Sequence, residues 1–134
     1  MIMTKDNKYK KKGLVRLIQA FSNSEKGLSA AWINESAFRQ EVYLFIVLSV
    51  IALLLPLNLS EKFVLIACML PVLVVELINS AIESIIDRIG MEEHDLSARA
   101  KDMGSAAVFI ALIIVFLVWC FVIYKNMPHI SFLS

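Results

Sequence analysis

Three long, predominantly apolar segments are the feature that most restricts what this chain can fold into. They cover about residues 42–59, 63–87 and 104–124. A helix of about 20 apolar residues crosses the hydrocarbon of a bilayer, and these segments fit that requirement. Hydrophobic residues make up 59% of the chain, above the roughly 45–50% of soluble domains, so the composition agrees. The sequence therefore predicts an all-α integral membrane protein with three transmembrane helices.

The chain ahead of the first apolar segment is polar and amphipathic. Residues 1–12 form a basic tail, and residues 13–40 have the pattern of amphipathic, interfacial helices. One face of the first of these helices carries Leu14, Leu17, Ile18 and Phe21. We expect this helix to lie on the membrane surface and to break at residues 22–24. The whole chain is expected to form a single membrane-embedded domain.

The positive charges are unevenly distributed along the chain. Eight of the 13 lysines and arginines precede the first apolar segment, and three lie in residues 88–101. The turn between the first two spans has only Lys62, and the C-terminal tail has only Lys125. Because cytoplasmic loops are enriched in Lys and Arg, this distribution predicts a cytoplasmic N-terminus and, after three spans, a C-terminus on the opposite side.

A polar stripe interrupts the second apolar segment. With 100° between successive residues of a helix, a single narrow face of this segment carries Glu76, Asn79, Glu83 and Asp87. An ionised carboxylate in hydrocarbon is energetically costly, so an intramembrane group of this kind is a candidate functional site. Pro71, ahead of the stripe, predicts a kink or a gap in the hydrogen bonds of the same helix.

The positions of the carboxylates along this helix suggest different chemical tasks. Glu83 is near the cytoplasmic end, where Glu35 also falls, and two carboxylates from different helices are suitable oxygen ligands for Mg²⁺. Glu76 lies about 10 Å deeper, where a desolvated carboxylate can act as a general base. Lys101 follows on the cytoplasmic side and could hold a phosphate. This arrangement suits phosphoryl transfer from a cytoplasmic nucleotide to a hydroxyl in the bilayer.

The residues alone leave two other interpretations open. In the first, the polar side chains of the stripe pair with Arg88, Arg99 and Lys101 and only hold helices together. In the second, the chain is a small proton- or ion-coupled membrane protein that uses the acidic stripe. The four glycines are too scattered to form a phosphate-binding loop, so no nucleotide-binding motif decides between these alternatives.

A set of short motifs carries a further, more specific signal. The motifs are E-L-I-N-S-A-I-E at residues 76–83, D-R-I-G at 87–90, A-K-D-M-G-S-A-A-V at 100–108, K-G-L at 26–28, and A-A-W-I-N-E with A-F-R-Q-E within 30–41. Together they closely resemble the prokaryotic diacylglycerol kinase family. The resemblance extends from about residue 13 to about residue 120.

This resemblance implies a lipid kinase that works as a homotrimeric bundle, with three transmembrane helices and one N-terminal amphipathic surface helix in each protomer. It implies Mg²⁺- and ATP-dependent phosphorylation of diacylglycerol to phosphatidic acid at the cytoplasmic face of the bacterial inner membrane, as part of phospholipid metabolism. The C-terminus is then periplasmic, and no nucleic-acid partner is expected. Some family members phosphorylate undecaprenol instead, and nothing in the spans separates these two lipid alcohols.

The family motifs also imply roles for individual residues. By this resemblance Glu76 is the general base on the lipid hydroxyl, and Asn79 orients the catalytic region. The implied metal ligands are Glu35 and Glu83. The implied nucleotide contacts are Arg16, Glu35, Glu83, Glu92, His94, Lys101 and Asp102. The implied lipid contacts are Ala30, Ala31, Trp32, Ala37, Phe38, Arg39, Gln40, Glu41, Glu76, Ser105 and Trp119. Asn23 and Glu93 depart from the family pattern, and no role is carried onto either of them.

Overall fold

Five α-helices make up the part of the chain that the computed structural model describes, residues 13–89 and 94–130. They are α1 (Leu14–Asn34), α2 (Ser36–Leu54), α3 (Leu59–Ala67), α4 (Leu70–Ile89) and α5 (Asp95–Ile130), and these residues contain no strand. Three stretches are long and apolar enough to cross a membrane, namely Ser36–Leu54, Leu59–Ile89 and Asp95–Met127. The predicted all-helical fold with three candidate transmembrane segments is therefore confirmed.

Helix α1 runs without interruption, so the predicted break at residues 22–24 is wrong. The hydroxyl of Ser24 donates to the carbonyl of Ala20, one turn back, at 2.9 Å. A serine whose hydroxyl is satisfied inside its own helix does not have to cap a new one. The apolar face of α1 is exposed at Leu14, Leu17, Ile18 and Phe21. The contact of this face with the membrane surface stays a prediction.

A single non-helical residue, Glu35, joins α1 to α2. Its backbone is extended, with φ −107° and ψ 112°, which ends the first helix and begins the second. The guanidinium of Arg39 donates to the carbonyls of Trp32 and Ile33, at 2.8 and 3.1 Å. The last carbonyls of a helix have no partner within it, so Arg39 caps the C-terminus of α1.

The second candidate span consists of two helices, α3 and α4, separated at Cys68 and Met69. Pro71 lies in the first turn of α4, and in a continuous helix its ring would clash with the carbonyl of Ala67. The first turn of a helix tolerates proline because its N–H groups have no partners within the helix. The interruption predicted from Pro71 is confirmed.

Helices α4 and α5 pack side by side in opposite directions and form much of the core. One cluster of buried side chains comprises Met69, Val72, Ala111 and Val115, and a second comprises Ala52, Leu65 and Val122. Trp119 packs against both clusters. Most large apolar side chains face outward instead, for example Leu54, which is 80% exposed. A bilayer would cover such a surface, in agreement with the three candidate spans.

Candidate active site

The buried polar residues of α4 lie on one face near its middle. Glu76 is 3% exposed, and Asn79 and Ser80 are 7% and 6% exposed. Farther along the helix Glu83 is half-buried, and the side chain of Asp87 is 67% exposed. Exposure therefore increases from Glu76 toward the C-terminus of α4, in the order of depth that the sequence predicts.

Glu76 belongs to a group of carboxylates contributed by three parts of the chain. Glu35 lies at the junction of α1 and α2, Glu41 lies on α2, and Glu83 lies two turns along α4. Each of these three carboxylates is close enough to Glu76 for electrostatic repulsion between the two charges. One carboxylate oxygen of Glu41 is buried and has no hydrogen-bond partner within the described ranges. Like charges gathered in apolar surroundings favour the binding of a cation or a proton.

Asn79 connects this group of carboxylates to α5. Its Nδ2 donates to Oε1 of Glu83 at 3.2 Å. Its Oδ1 points at the backbone of Gly104, which is buried on the facing side of α5. This contact was not among the predicted ones, although the run of small residues from Gly104 to Ala107 is typical of helices that approach closely.

An open cavity of about 600 Å³ lies between α1 and α4. Its lining includes Gly27, Ala30, Ala31 and Glu35 of the first part of the chain and Ser80, Ala81 and Ser84 of α4. Three of these residues, Ala30, Ala31 and Glu35, are among the predicted site residues. Ser80 and Ser84 were not predicted, although their four-residue spacing places them beside the polar stripe. The cavity therefore brings Glu35 next to the face of α4 that carries Glu76.

Lys101 of α5 reaches the exposed end of α4. Its Nζ lies 2.6 Å from Oδ1 of Asp87, and the two side chains are 40% and 67% exposed. This ion pair is one of the contacts expected if the polar stripe only joined helices. Exposed pairs contribute little to stability because water screens both charges, so the pair by itself does not explain the stripe.

Several predicted site residues lie at the α1–α2 junction. Trp32 packs edge-to-face against Tyr43, with 5.8 Å between ring centroids. Phe38 is 5% exposed, and Arg39 caps α1 through its guanidinium. Two neighbours, Ala37 and Gln40, are exposed. Arg39 therefore stabilises the α1–α2 junction by capping α1, and Phe38 is buried there. The contact of both residues with lipid stays a prediction.

Other predicted site residues either do not line the α1–α4 cavity or lie outside the described residues. Trp119 lies about 21 Å along α5 from Ser105, and Arg16 lies about 28 Å along α1 from Glu35, at 1.5 Å per residue. His94 caps α5, because its Nδ1 accepts the backbone N–H of Leu96 at 3.1 Å. Asp102 is exposed and lies two residues before Gly104 on α5. Glu92, like Glu93 and residues 1–12, lies outside the described residues.

Comparison with known proteins identifies the family. A family model for prokaryotic diacylglycerol kinase matches residues 22–123. The diacylglycerol kinase of Escherichia coli is 49% identical over 114 residues, which cover 85% of this chain and 93% of that protein. The diacylglycerol kinase of Haemophilus influenzae is 48% identical over 111 residues, which cover 83% and 94%. The chain belongs to the prokaryotic diacylglycerol kinase family.

Membership of the prokaryotic diacylglycerol kinase family confirms the family resemblance that the sequence motifs indicated. A third relative, the diacylglycerol kinase of Helicobacter pylori, is 50% identical over 111 residues, or 82% of this chain and 86% of that protein. The region that matches the family model contains the whole carboxylate group, from Glu35 to Glu83, together with Lys101. It does not contain Arg16 or the basic tail.

The residues of this diacylglycerol kinase family member provide oxygen donors suited to Mg²⁺. No group of three or more His, Cys, Asp or Glu in the described part of the chain is arranged to hold a metal. Glu35, between α1 and α2, and Glu83 of α4 nevertheless supply carboxylates from two separate parts of the chain, both within electrostatic range of Glu76. Mg²⁺ usually binds through one or two carboxylates and takes its other ligands from phosphates and water. The donor set therefore fits a metal that arrives with a nucleotide.

Proposed function

We propose that this chain is an ATP-dependent diacylglycerol kinase, which transfers the γ-phosphoryl group of ATP to the free hydroxyl of diacylglycerol and forms phosphatidic acid. The observation that carries the proposal is the placement of Glu76. It is buried at 3% exposure on a candidate transmembrane segment, yet the polar face of α4 that carries it continues to the exposed Asp87. Such a site suits a reaction between a lipid in the membrane and a nucleotide in water.

In the proposed reaction, the carboxylate of Glu76 accepts the proton of the lipid hydroxyl. The hydroxyl oxygen forms a bond to the γ-phosphorus of ATP, and the bond from that phosphorus to the oxygen bridging to the β-phosphorus breaks. ADP leaves with the electron pair of that bond. Asn79 holds the carboxylate of Glu83 in place through its 3.2 Å hydrogen bond.

Glu35 and Glu83 would hold Mg²⁺, which when bound neutralises the negative charge of the phosphates. Lys101 and Asp102 lie on the same side of the molecule, and Lys101 is exposed enough to bind a phosphate oxygen in place of Asp87. Arg16, Glu92 and His94 complete the nucleotide contacts that the family pattern implies. The lipid contacts are those implied at the α1–α2 junction and at Ser105 and Trp119.

We propose for the membrane-bound protein the orientation that the charge distribution predicts and the assembly that the family resemblance implies. The N-terminus and the segment between α4 and α5 lie in the cytoplasm, and the C-terminus lies in the periplasm. The segments at about residues 42–59, 63–87 and 104–124 span the bacterial inner membrane. The chain works as a homotrimer, with α1 on the membrane surface. The open side of the α1–α4 cavity supports this assembly.

A direct assay tests the proposed reaction. Purified protein in mixed micelles with dioleoylglycerol and Mg·ATP is expected to form phosphatidic acid and ADP in equal amounts. Glu76→Gln is expected to lower kcat about 100-fold or more, because general-base catalysis contributes on that order. Glu25→Gln, which changes an exposed carboxylate of α1, is the matched control and is expected to keep its activity. Full activity of a folded Glu76→Gln protein would overturn the role of Glu76.

The same assay separates the alternatives that the sequence left open. Dioleoylglycerol and undecaprenol offered together report which lipid alcohol is phosphorylated, and a product made only from undecaprenol would overturn the proposed acceptor. Sealed vesicles that show ion flux without ADP release would instead favour a transport function. Cross-linking that ends at a dimer would contradict the homotrimer.

A further inference from the structure

Helices α4 and α5 approach each other closely at Asn79 and Gly104. Gly104 is buried, and the Asn79 side chain occupies the space where any other residue would place its Cβ. A Cβ built on Gly104 would overlap Oδ1 of Asn79 and would lie 3.2 Å from its Cγ. The same Cβ would be 3.8 Å from the Cβ of Asn79, which is an ordinary van der Waals distance. The conflict therefore involves only the amide group of Asn79.

The amide group of Asn79 cannot easily move away from an added Cβ. Its Nδ2 donates to Glu83, and its Oδ1 is buried without a hydrogen-bond partner among the residues that the structure describes. Rotation of the side chain would move the nitrogen away from Glu83 and break that hydrogen bond. The absence of a side chain at Gly104 is what allows the observed rotamer of Asn79.

We propose that Gly104 is a positioning residue for phosphoryl transfer, acting through Asn79 on the carboxylate of Glu83. The proposal rests on the proposed kinase function, because Glu83 matters there as a ligand for Mg²⁺. Gly104 also lies one turn from Lys101 along α5. The same contact therefore sets the register of Lys101 relative to the carboxylates of α4.

The first test is a double-mutant cycle on thermal stability, which does not depend on activity. Gly104→Ala is expected to lower the midpoint of thermal unfolding when residue 79 is asparagine. In the Asn79→Ala background the same change is expected to cause no decrease, because the overlapping amide is gone and the remaining Cβ is 3.8 Å away. Gly27→Ala is the matched control for stability, since an added Cβ there meets no atom within 4 Å.

The second test measures kcat and the Mg²⁺ dependence of activity for the four proteins of the cycle, which are the wild type, Gly104→Ala, Asn79→Ala and the double variant. Gly104→Ala is expected to lower kcat about 10- to 100-fold, the size of effect that a small misplacement of a catalytic group produces. It is also expected to raise the Mg²⁺ concentration for half-maximal activity several-fold, which loss of stability alone would not do. The double variant is expected to match the kcat of Asn79→Ala within about twofold.

The outcomes of the two tests separate this proposal from the proposed function. The positioning role would be overturned if the kcat losses of the two single variants multiplied in the double variant. It would also be overturned if Gly104→Ala lowered the thermal midpoint equally in both backgrounds. If Gly104→Ala does not fold, a folded double variant supports the overlap with Asn79, and an unfolded double variant contradicts it. Wild-type protein that phosphorylates neither lipid alcohol would contradict the kinase function, while the thermal cycle would still report on the contact.

Discussion

Asn79 is held from two sides, by a hydrogen bond to Glu83 and by the backbone of Gly104. An amide at this position supplies a neutral donor next to a carboxylate, where a second carboxylate would add repulsion. A side chain of the same shape without the N–H donor therefore tests what the amide contributes. Aspartate is that side chain.

Asn79→Asp is expected to lower kcat about tenfold or more, because it replaces a hydrogen bond to a charged group with repulsion. The matched control is Asn126→Asp at the other end of the bundle, where Nδ2 of Asn126 donates to Glu61 at 3.1 Å. The control also places two carboxylates together, and it is expected to lower the thermal midpoint while kcat changes less than about twofold. Equal kcat losses in the two variants would contradict a specific role for Asn79.

At the scale of helices, α4 and α5 are joined at their exposed ends by Lys101 and Asp87. If this ion pair only links helices, removal of either partner has the same effect. If Lys101 binds phosphate, its removal has an effect on the nucleotide that removal of Asp87 does not have.

Lys101→Met is expected to lower kcat/KM for ATP about 10- to 100-fold, since a charged hydrogen bond to phosphate is lost. Asp87→Asn is expected to change kcat/KM less than about twofold and to leave the thermal midpoint nearly unchanged, because both side chains are well exposed. Steady-state kinetics over a range of ATP concentrations measure both. A similar loss of kcat/KM in the two variants would favour the purely structural interpretation.

The N-terminus of α3 has a second polar arrangement, far from the candidate active site. The side chain of Asn58 accepts the backbone N–H of Glu61 at 2.9 Å, and Glu61 accepts the N–H of Asn58 at 3.4 Å, which forms a capping box. Glu61 also accepts from Lys125 at 3.0 Å. These contacts tie the beginning of α3 to the end of α5 and involve no predicted site residue.

Asn58→Ala is expected to lower the free energy of unfolding by about 1 kcal/mol, the usual contribution of a helix cap, and to leave kcat unchanged. Ser60→Ala is the comparison, because the Ser60 hydroxyl donates to Asn58 at 2.9 Å but is exposed. Its expected effect is about 0.5 kcal/mol or less. Thermal unfolding in one detergent measures both, and an equal loss in the two variants would contradict the capping role of Asn58.

At the scale of the whole molecule, the capping box of α3 and the exposed end of α4 belong to opposite ends of the bundle. The predicted topology places the first in the periplasm and the second, together with the start of α5, in the cytoplasm. Ser60 and Arg99 are exposed residues near these two ends. They allow the topology to be tested without a change to the candidate site.

In a background with Cys68→Ala and Cys120→Ala, Ser60→Cys is expected to react with a membrane-impermeant maleimide in intact spheroplasts. Arg99→Cys is expected to react only after the membrane is opened, because the positive charges place its segment in the cytoplasm. Mass spectrometry of the labelled protein gives the extent of each reaction. Labelling of Arg99→Cys in intact spheroplasts would contradict the predicted orientation.

The amino-acid sequence by itself determined the helical architecture and the three candidate spans. It also placed the polar residues of α4 on one face and ordered their burial from Glu76 to Asp87. These properties depend on helical periodicity and on the transfer of side chains out of water, which are nearly local quantities. The motifs at residues 76–83 and 100–108 identified the family for the same reason, since they are contiguous in the chain.

Only the tertiary structure decided which helix faces meet. It placed Gly104 against the amide of Asn79, formed the cavity between α1 and α4, and used Arg39 to cap α1. It also showed that α1 continues through residues 22–24, where local polarity alone suggests a break. The Asn79–Gly104 contact and the cavity depend on residues far apart in the sequence, and their free energy exists only once the helices have packed. The cap by Arg39 and the continuity of α1 are local, and they depend on side-chain hydrogen bonds to backbone carbonyls that apolar periodicity does not reveal.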